Sequence, residues 1–268
     1  MKAPSRIVLM MGTAVAVLLV GYWGGQQLFV RALAQTDLSV RPYIAEDTQF
    51  YVKDGKEIVT AKEVTVRRRD GAFRKTGTFY SPAGIPGITI SRIEFPDGYV
   101  AMVADAIFGK STGKKPGVDV AAAKSSLLNP PPQCTYNAPQ AGLSETVDGE
   151  DSLFGFRAIR VIRALPKNQR YVSWRLPDFQ CVVVQSSDQM FDTATNSWVV
   201  TQGKRLTAFA SVDPDARIFT NWNTYSEMSP SELKRAVYKQ SGVTADECPK
   251  CFAPDTESDA NYKKWNAQ

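Results

Sequence analysis

Between residues 49 and 213 the chain alternates short runs rich in Val, Ile, Thr, Phe and Tyr with glycine- and aspartate-bearing breaks. Three breaks are Asp54-Gly55, Asp70-Gly71 and Asp97-Gly98. This dipeptide supplies the positive φ that a tight hairpin turn needs. The pattern predicts strands over 49–53, 57–69, 72–80, 87–95 and 98–107, and then over 154–164, 169–176, 179–186 and 196–213. Long helices do not alternate with these runs, which argues against a parallel α/β sheet. The predicted fold class is mainly β: a strongly twisted antiparallel sheet or half-barrel with about nine to eleven strands. Tyr99, Ala101 and Val103 alternate with Val100, Met102 and Ala104, so this strand is apolar on both faces. Such a strand needs a cover on each side.

Residues 109–153 interrupt the pattern. Gly109 to Gly117 reads as a basic loop, Val118 to Leu128 as a short helix, and Pro130-Pro131-Pro132 ends that helix. The stretch is expected to act as a lid, with Val118, Val120, Ala122 and Leu127 covering one face of the 98–107 strand. Pro230 to Gln240 carries the clearest helix signature: Ser229 as N-cap, Pro230 at the first helical position and Gly242 beyond the end. Its apolar residues are few, so it is expected at the edge of the domain. The tail from Pro254 is polar, with a weak helix near Tyr262 to Trp265.

The N-terminus sets the compartment. Lys2 and Arg6 precede an apolar run from Ile7 to Trp23. That run is at the short end for a bilayer-spanning helix and long for a signal-peptide core. An A-x-A-like site at Ala32-Leu33-Ala34 keeps a cleaved signal in play. A single-pass anchor with the N-terminus cytoplasmic is the preferred reading, and either reading exports the rest into the cell envelope. The expected division is a signal anchor or signal peptide with its linker over 1–35, an antiparallel β domain over 36–228 with its lid at 109–153, and a helical, polar C-terminal tail over 229–268. The net charge of +5 falls to near balance without Lys2, Arg6 and Arg31, which gives no case for a nucleic-acid partner. Histidine is absent from the sequence, removing the commonest general base and zinc ligand.

Cys134, Cys181, Cys248 and Cys251 are an even set in an exported chain and read first as disulfides. Of three connectivities, Cys134–Cys181 with Cys248–Cys251 is preferred, with Cys181 mid-strand and Cys134 closing the proline-rich lid. A redox dithiol at Cys248-Pro-Lys-Cys251, or a four-cysteine zinc site, are the other readings. The Leu176-Pro177-Asp178 run is expected to form a hairpin turn between Trp174 and Phe179.

No catalytic constellation emerges. Gly109-Lys110-Ser111 lacks the first glycine of a P-loop, that position being Ala104. Ser231-x-x-Lys234 and Lys75-Thr76-Gly77 occur in the reverse order to that of penicillin-binding enzymes. Glu94, Asp97 and Asp105, considered as paired acid–base groups, and Asp213, Asp215, Asp246 and Glu247, considered for calcium, are better explained by turns and caps. Arg67-Arg68-Arg69 reads as a solvated hairpin end, or as a contact for anionic lipid headgroups. Trp174, Phe179, Trp198, Phe209, Phe219 and Trp222, with Tyr80, Phe95 and Tyr99, are core candidates that on a curved sheet also suit an acyl chain or hydrophobic peptide. Neither a cofactor nor a metal is called for.

Trp174-Arg-Leu-Pro-Asp-Phe-Gln-Cys181 resembles the W-x-x-P-x-L-x-C strand pair of an uncharacterised family of exported acidobacterial proteins. Tracts similar to that family's also occur at Arg68–Gly71, Phe154–Val161, Val212–Phe219 and Tyr225–Glu232, so the resemblance spans roughly residues 60–235. The layout of successive hairpins, an interrupting lid and a final long strand is similar to the half-barrel of LolA/LolB-like lipoprotein carriers and RseB-like periplasmic domains. A lipoprotein cysteine is missing, and the Cys-x-x-Cys tail is extra. The implied function is non-enzymatic: an envelope protein binding a hydrophobic ligand, a lipid or a partner protein. A ligand-free scaffold and a histidine-free hydrolase are the alternatives.

Overall fold

The computed structural model describes residues 40–80, 86–114, 119–131, 133–136 and 144–267. The Ile7–Trp23 span and the Ala32–Ala34 site lie outside them. Among the described residues no helix is long and apolar enough to cross a membrane.

Among the described residues the domain is built on one open sheet of twelve strands. β1 (Tyr43–Lys53), β2 (Lys56–Arg67), β3 (Phe73–Tyr80), β4 (Pro86–Glu94), β5 (Tyr99–Ala104) and β6 (Gly109–Lys114) form one antiparallel meander. β7 (Glu145–Leu153), β8 (Phe156–Leu165), β9 (Gln169–Leu176), β10 (Val182–Asp192) and β11 (Ser197–Ala210) form a second. β1 pairs antiparallel with β11 and fuses the two. β12 (Ser226–Glu227) adds two parallel residues beside β6. The turn chemistry acts as the sequence implies: Asp54 and Gly55 both have positive φ (51° and 72°), and Gly71 and Gly98 sit at 86° and 87°.

β6 and β7 lie toward opposite edges, so the chain between them must traverse the width of the sheet. The described parts of that crossing include α1 (Val120–Leu128), capped by Asp119, whose carboxylate accepts the amides of Ala121 and Ala122. Three C-terminal helices follow: α2 (Pro230–Gln240), α3 (Pro249–Phe252) and α4 (Thr256–Asn266). α2 carries a full capping box, with the Glu232 amide donating to Ser229 Oγ and the Ser229 amide to Glu232 Oε2.

Both faces of the sheet are packed. On β1, Tyr43 and Ala45 belong to a core with Ala158, Leu176, Phe179, Val184 and Leu206, while Ile44 packs on another. Phe179 stands edge-on to Tyr43, Phe156 and Phe209, with centroids 5.9, 4.9 and 4.8 Å away. On the opposite face Ile93, Ala101 and Val103, all 0% exposed, meet Phe219 and Trp222 from the segment after β11. The even-numbered positions Ile88, Ile90, Met102 and Ala104 meet Leu233 and Val237 of α2 instead.

These contacts revise three expectations. β5 is covered on both sides, but its covers are the Phe219–Trp222 segment and α2, whereas every α1 side chain that is described is half-buried or exposed. Residues 109–114 and 145–153, placed by the sequence pattern in the interruption, are strands. Cys181 is not mid-strand: it precedes β10 with φ of 58°, after a 3-10 turn over Pro177–Phe179.

Candidate functional site

The hairpin turns after β2 and β4 stand beside α1, and together they enclose a recess of about 390 Å³. Phe73, Phe95, Pro96, Val100 and Leu127 form its apolar lining, and Arg67 and Glu94 supply one charge of each sign. Phe73 lies directly opposite Glu94 across β3–β4 and opposite Arg67 across β2–β3. The Arg67 guanidinium stacks on the Phe73 ring at 4.8 Å and donates to the Gly71 carbonyl at 3.1 Å. Glu94 accepts from Arg92 at 2.6 Å. Leu127 is half-buried while Leu128 is 49% exposed, and the other α1 side chains that are described are exposed as well.

Downstream of α1 the crossing is fastened. Cys134 and Cys181 form a disulfide with Cα atoms 5.3 Å apart, within the usual reach of such a bond. Arg175, 4% exposed, donates bidentately to Glu145 at 2.6 and 2.7 Å and to the Cys134 carbonyl at 2.5 Å. The Tyr136 amide completes the clamp on Glu145 at 2.8 Å. Burial pushes the Glu145 carboxyl up, but the bonds from Arg175 and Tyr136, with the Arg175 charge, hold it below the usual carboxylate range.

A second, larger cavity of about 530 Å³ opens over β1, β9, β10 and β11, lined by Gln49, Tyr51, Tyr171, Ser186, Asp188, Gln202 and Lys204 among others. Beside it lies a charged row. Asp47 and Glu63 are direct cross-strand partners, 2% and 5% exposed. Lys204 reaches Asp47 at 3.2 Å and Lys75 reaches Glu63 at 2.7 Å. Burial pushes the Asp47 carboxyl up; Lys204 opposes the rise and the Glu63 carboxylate adds to it.

The polar residues singled out in the sequence are mostly held in structural roles. Asp97 accepts the Tyr99 amide, and Asp105 faces Arg74 and accepts from Tyr225 Oη. Asp213 accepts the Arg69 amide, Asp215 binds Arg217, and Glu247 caps Thr244. Arg68 pairs with Asp70 and stacks on Phe219. Ser231 is buried and its Oγ accepts the Asp255 amide; Lys234 donates to the Lys250 carbonyl; Lys75 on β3 pairs with Glu63 of β2. Cys248 and Cys251 are bonded to each other at the start of α3. Sequence reasoning missed Asp47, Glu63, Glu145 and Arg175. Alternation in 43–53 and 56–67 was the available signal for the first two, since it puts charged residues on inward positions.

No protein family matches the sequence, and no curated protein matches it. Solved structures similar to it include MucB, at 12% identity and a TM-score of 0.38, with 72% of this chain and 62% of that one covered. The chain thus spans under two thirds of MucB's length. Others are a putative outer membrane lipoprotein-sorting protein domain from Vibrio parahaemolyticus (7% identity, TM-score 0.29, 72% and 94% covered) and the lipoprotein LppX of Mycobacterium tuberculosis (9%, 0.32, 70% and 94%).

Proposed function

We propose that the chain is a non-enzymatic binding protein of the cell envelope, and that it holds an acyl-chain ligand in the recess beside α1. The observation that carries this reading is the lining: five apolar side chains in about 390 Å³, bordered by Arg67 and Glu94. A volume in that range with a few placed polar groups suits a small amphipathic ligand. The position of α1 supports entry. The helix presents one edge to the recess, and the disulfide and the Arg175–Glu145 clamp fasten the crossing after it. An export location is supported by the apolar Ile7–Trp23 run and by two disulfides, which persist in oxidising compartments. Anchoring through that run, rather than its cleavage, is part of the same proposal.

Titration of the full chain with a fluorescent long-chain fatty acid tests it. Saturable binding is expected, weakened roughly tenfold or more by Leu127→Asp, which places a charge at the recess without entering a core. Absence of saturable binding, or binding indifferent to Leu127→Asp, contradicts the proposal.

A further inference from the structure

The larger cavity has a chemistry unlike that of the recess. The strand register aligns Tyr171, Asp188, Gln202 and Tyr51 in one row across β9, β10, β11 and β1. Gln202 Nε2 donates to Asp188 Oδ2, so an amide and a carboxylate lie linked between two phenol rings. The next row carries Ser186, Lys204 and Gln49 on β10, β11 and β1. All seven residues line the cavity. With neighbouring strands about 4.8 Å apart, the two tyrosines are separated by roughly 14 Å along the row.

This arrangement excludes some ligands. Every strand in the row has a partner on both sides, so an extended peptide finds no free backbone edge on which to add as a strand. The lining is too polar for an acyl chain, which would leave Gln49, Ser186, Asp188 and Gln202 facing hydrocarbon. Lys204, the cation of the lining, is already paired with Asp47, so the lining offers an anion no free cation. What remains matched is a neutral ligand with many hydroxyl groups. Side-chain amides and hydroxyls both donate and accept and the carboxylate accepts, as such a ligand requires, and each phenol offers an apolar ring face with a polar tip, Arg163 covering one face of Tyr171 at 5.0 Å.

We infer that this face of the sheet binds a neutral oligosaccharide lying across the strands, its rings over Tyr51 and Tyr171 and its hydroxyls on Asp188, Gln202, Gln49 and Ser186. The site shares no lining residue with the recess beside α1.

Calorimetric titration of the full chain with uncharged tetrasaccharides of gluco, N-acetylgluco and galacto configuration tests this. At least one is expected to bind saturably. Tyr171→Ala should weaken it about tenfold or more, Tyr171→Phe should retain most of the binding, and Gln202→Ala, at an exposed position, should weaken it measurably. Leu127→Asp should leave it unchanged, which separates this site from the fatty-acid site. If no tetrasaccharide binds, if both Tyr171→Ala and Gln202→Ala bind as the unmodified chain does, or if Leu127→Asp abolishes binding, the inference is overturned.

Discussion

Arg175 and Glu145 are both almost fully buried, and each satisfies the other through two hydrogen bonds. Removing one partner of such a pair leaves a buried charge uncompensated, at a cost of about 3–5 kcal/mol. Glu145→Ala is therefore expected to destabilise the domain by roughly that amount in urea denaturation, and a loss under about 1 kcal/mol would contradict the clamp. The buried carboxyls of Glu145 and Asp47 have opposite pH signatures. The folded-state pKa of Glu145 is depressed, so its contribution is present above its unfolded value near ~4.3 and is lost as pH falls through the folded one. That of Asp47 is raised, so its contribution is present below about 3.9 and is lost as pH rises through the folded value. Denaturation across a pH series should show the Asp47→Asn variant gaining on the unmodified chain as pH rises from about 4 to 7; a trend in the other direction contradicts the assignment. Gly203 is held by contact rather than by its turn preference. A Cβ there would lie 2.6 Å from the Ser186 carbonyl and 3.0 Å from the Phe50 ring, so Gly203→Ala is expected to cost about 1–3 kcal/mol by overpacking.

Among the elements, the segment after β11 does more than connect. Phe219 is 0% exposed and closes one face over Ile93, Ala101 and Val103. Arg74 fixes the segment by donating to the Ile218 carbonyl, to Asn221 Oδ1 at 3.2 Å and to Ser91 Oγ at 2.9 Å. Phe219→Ala should destabilise by about 3–5 kcal/mol, measured by thermal or urea unfolding, and a smaller effect than Leu127→Asp would contradict the assignment of the cover. The disulfides differ in the loops they close. The Cys134–Cys181 bond spans a separation of 47 and is worth roughly 4 kcal/mol in the chain-entropy account; Cys248–Cys251 spans 3 and is worth roughly 2. What the sequence made legible follows local chemistry: α2 from its Ser229 cap, Pro230 and Gly242, and the hairpins from Asp-Gly. β6 and β7 were hidden for a physical reason. Gly109–Lys114 has no large apolar residue, and Glu145–Leu153 is an edge strand whose Asp148 and Glu150 pair with Arg160 and Arg157 on β8. A strand without a face to bury in full carries little period-2 signal. The Gly149 bulge and these charges also blunt the open edge against pairing with another chain.

At the scale of the molecule, two meanders are joined by β1 and β11, and the chain between them crosses the sheet. That topology creates both cavities and explains why neither was readable in the sequence. The recess needs Phe73 and Val100 beside Leu127, and the polar row needs Tyr51 beside Gln202; long-range register sets both. The segments that would line them were recognisable as strands and helix, but not which faces meet. The proposed acyl-chain site requires α1 to be a movable cover over the apolar recess. Its direct test is hydrogen exchange over residues 120–128 in the full chain, with and without a long-chain fatty acid. Few buried contacts predict opening at low free energy. Exchange in α1 is expected to be far faster than in β1 and β11, and to slow once the fatty acid is added. Protection of α1 equal to that of β1, unchanged by the fatty acid, would contradict it.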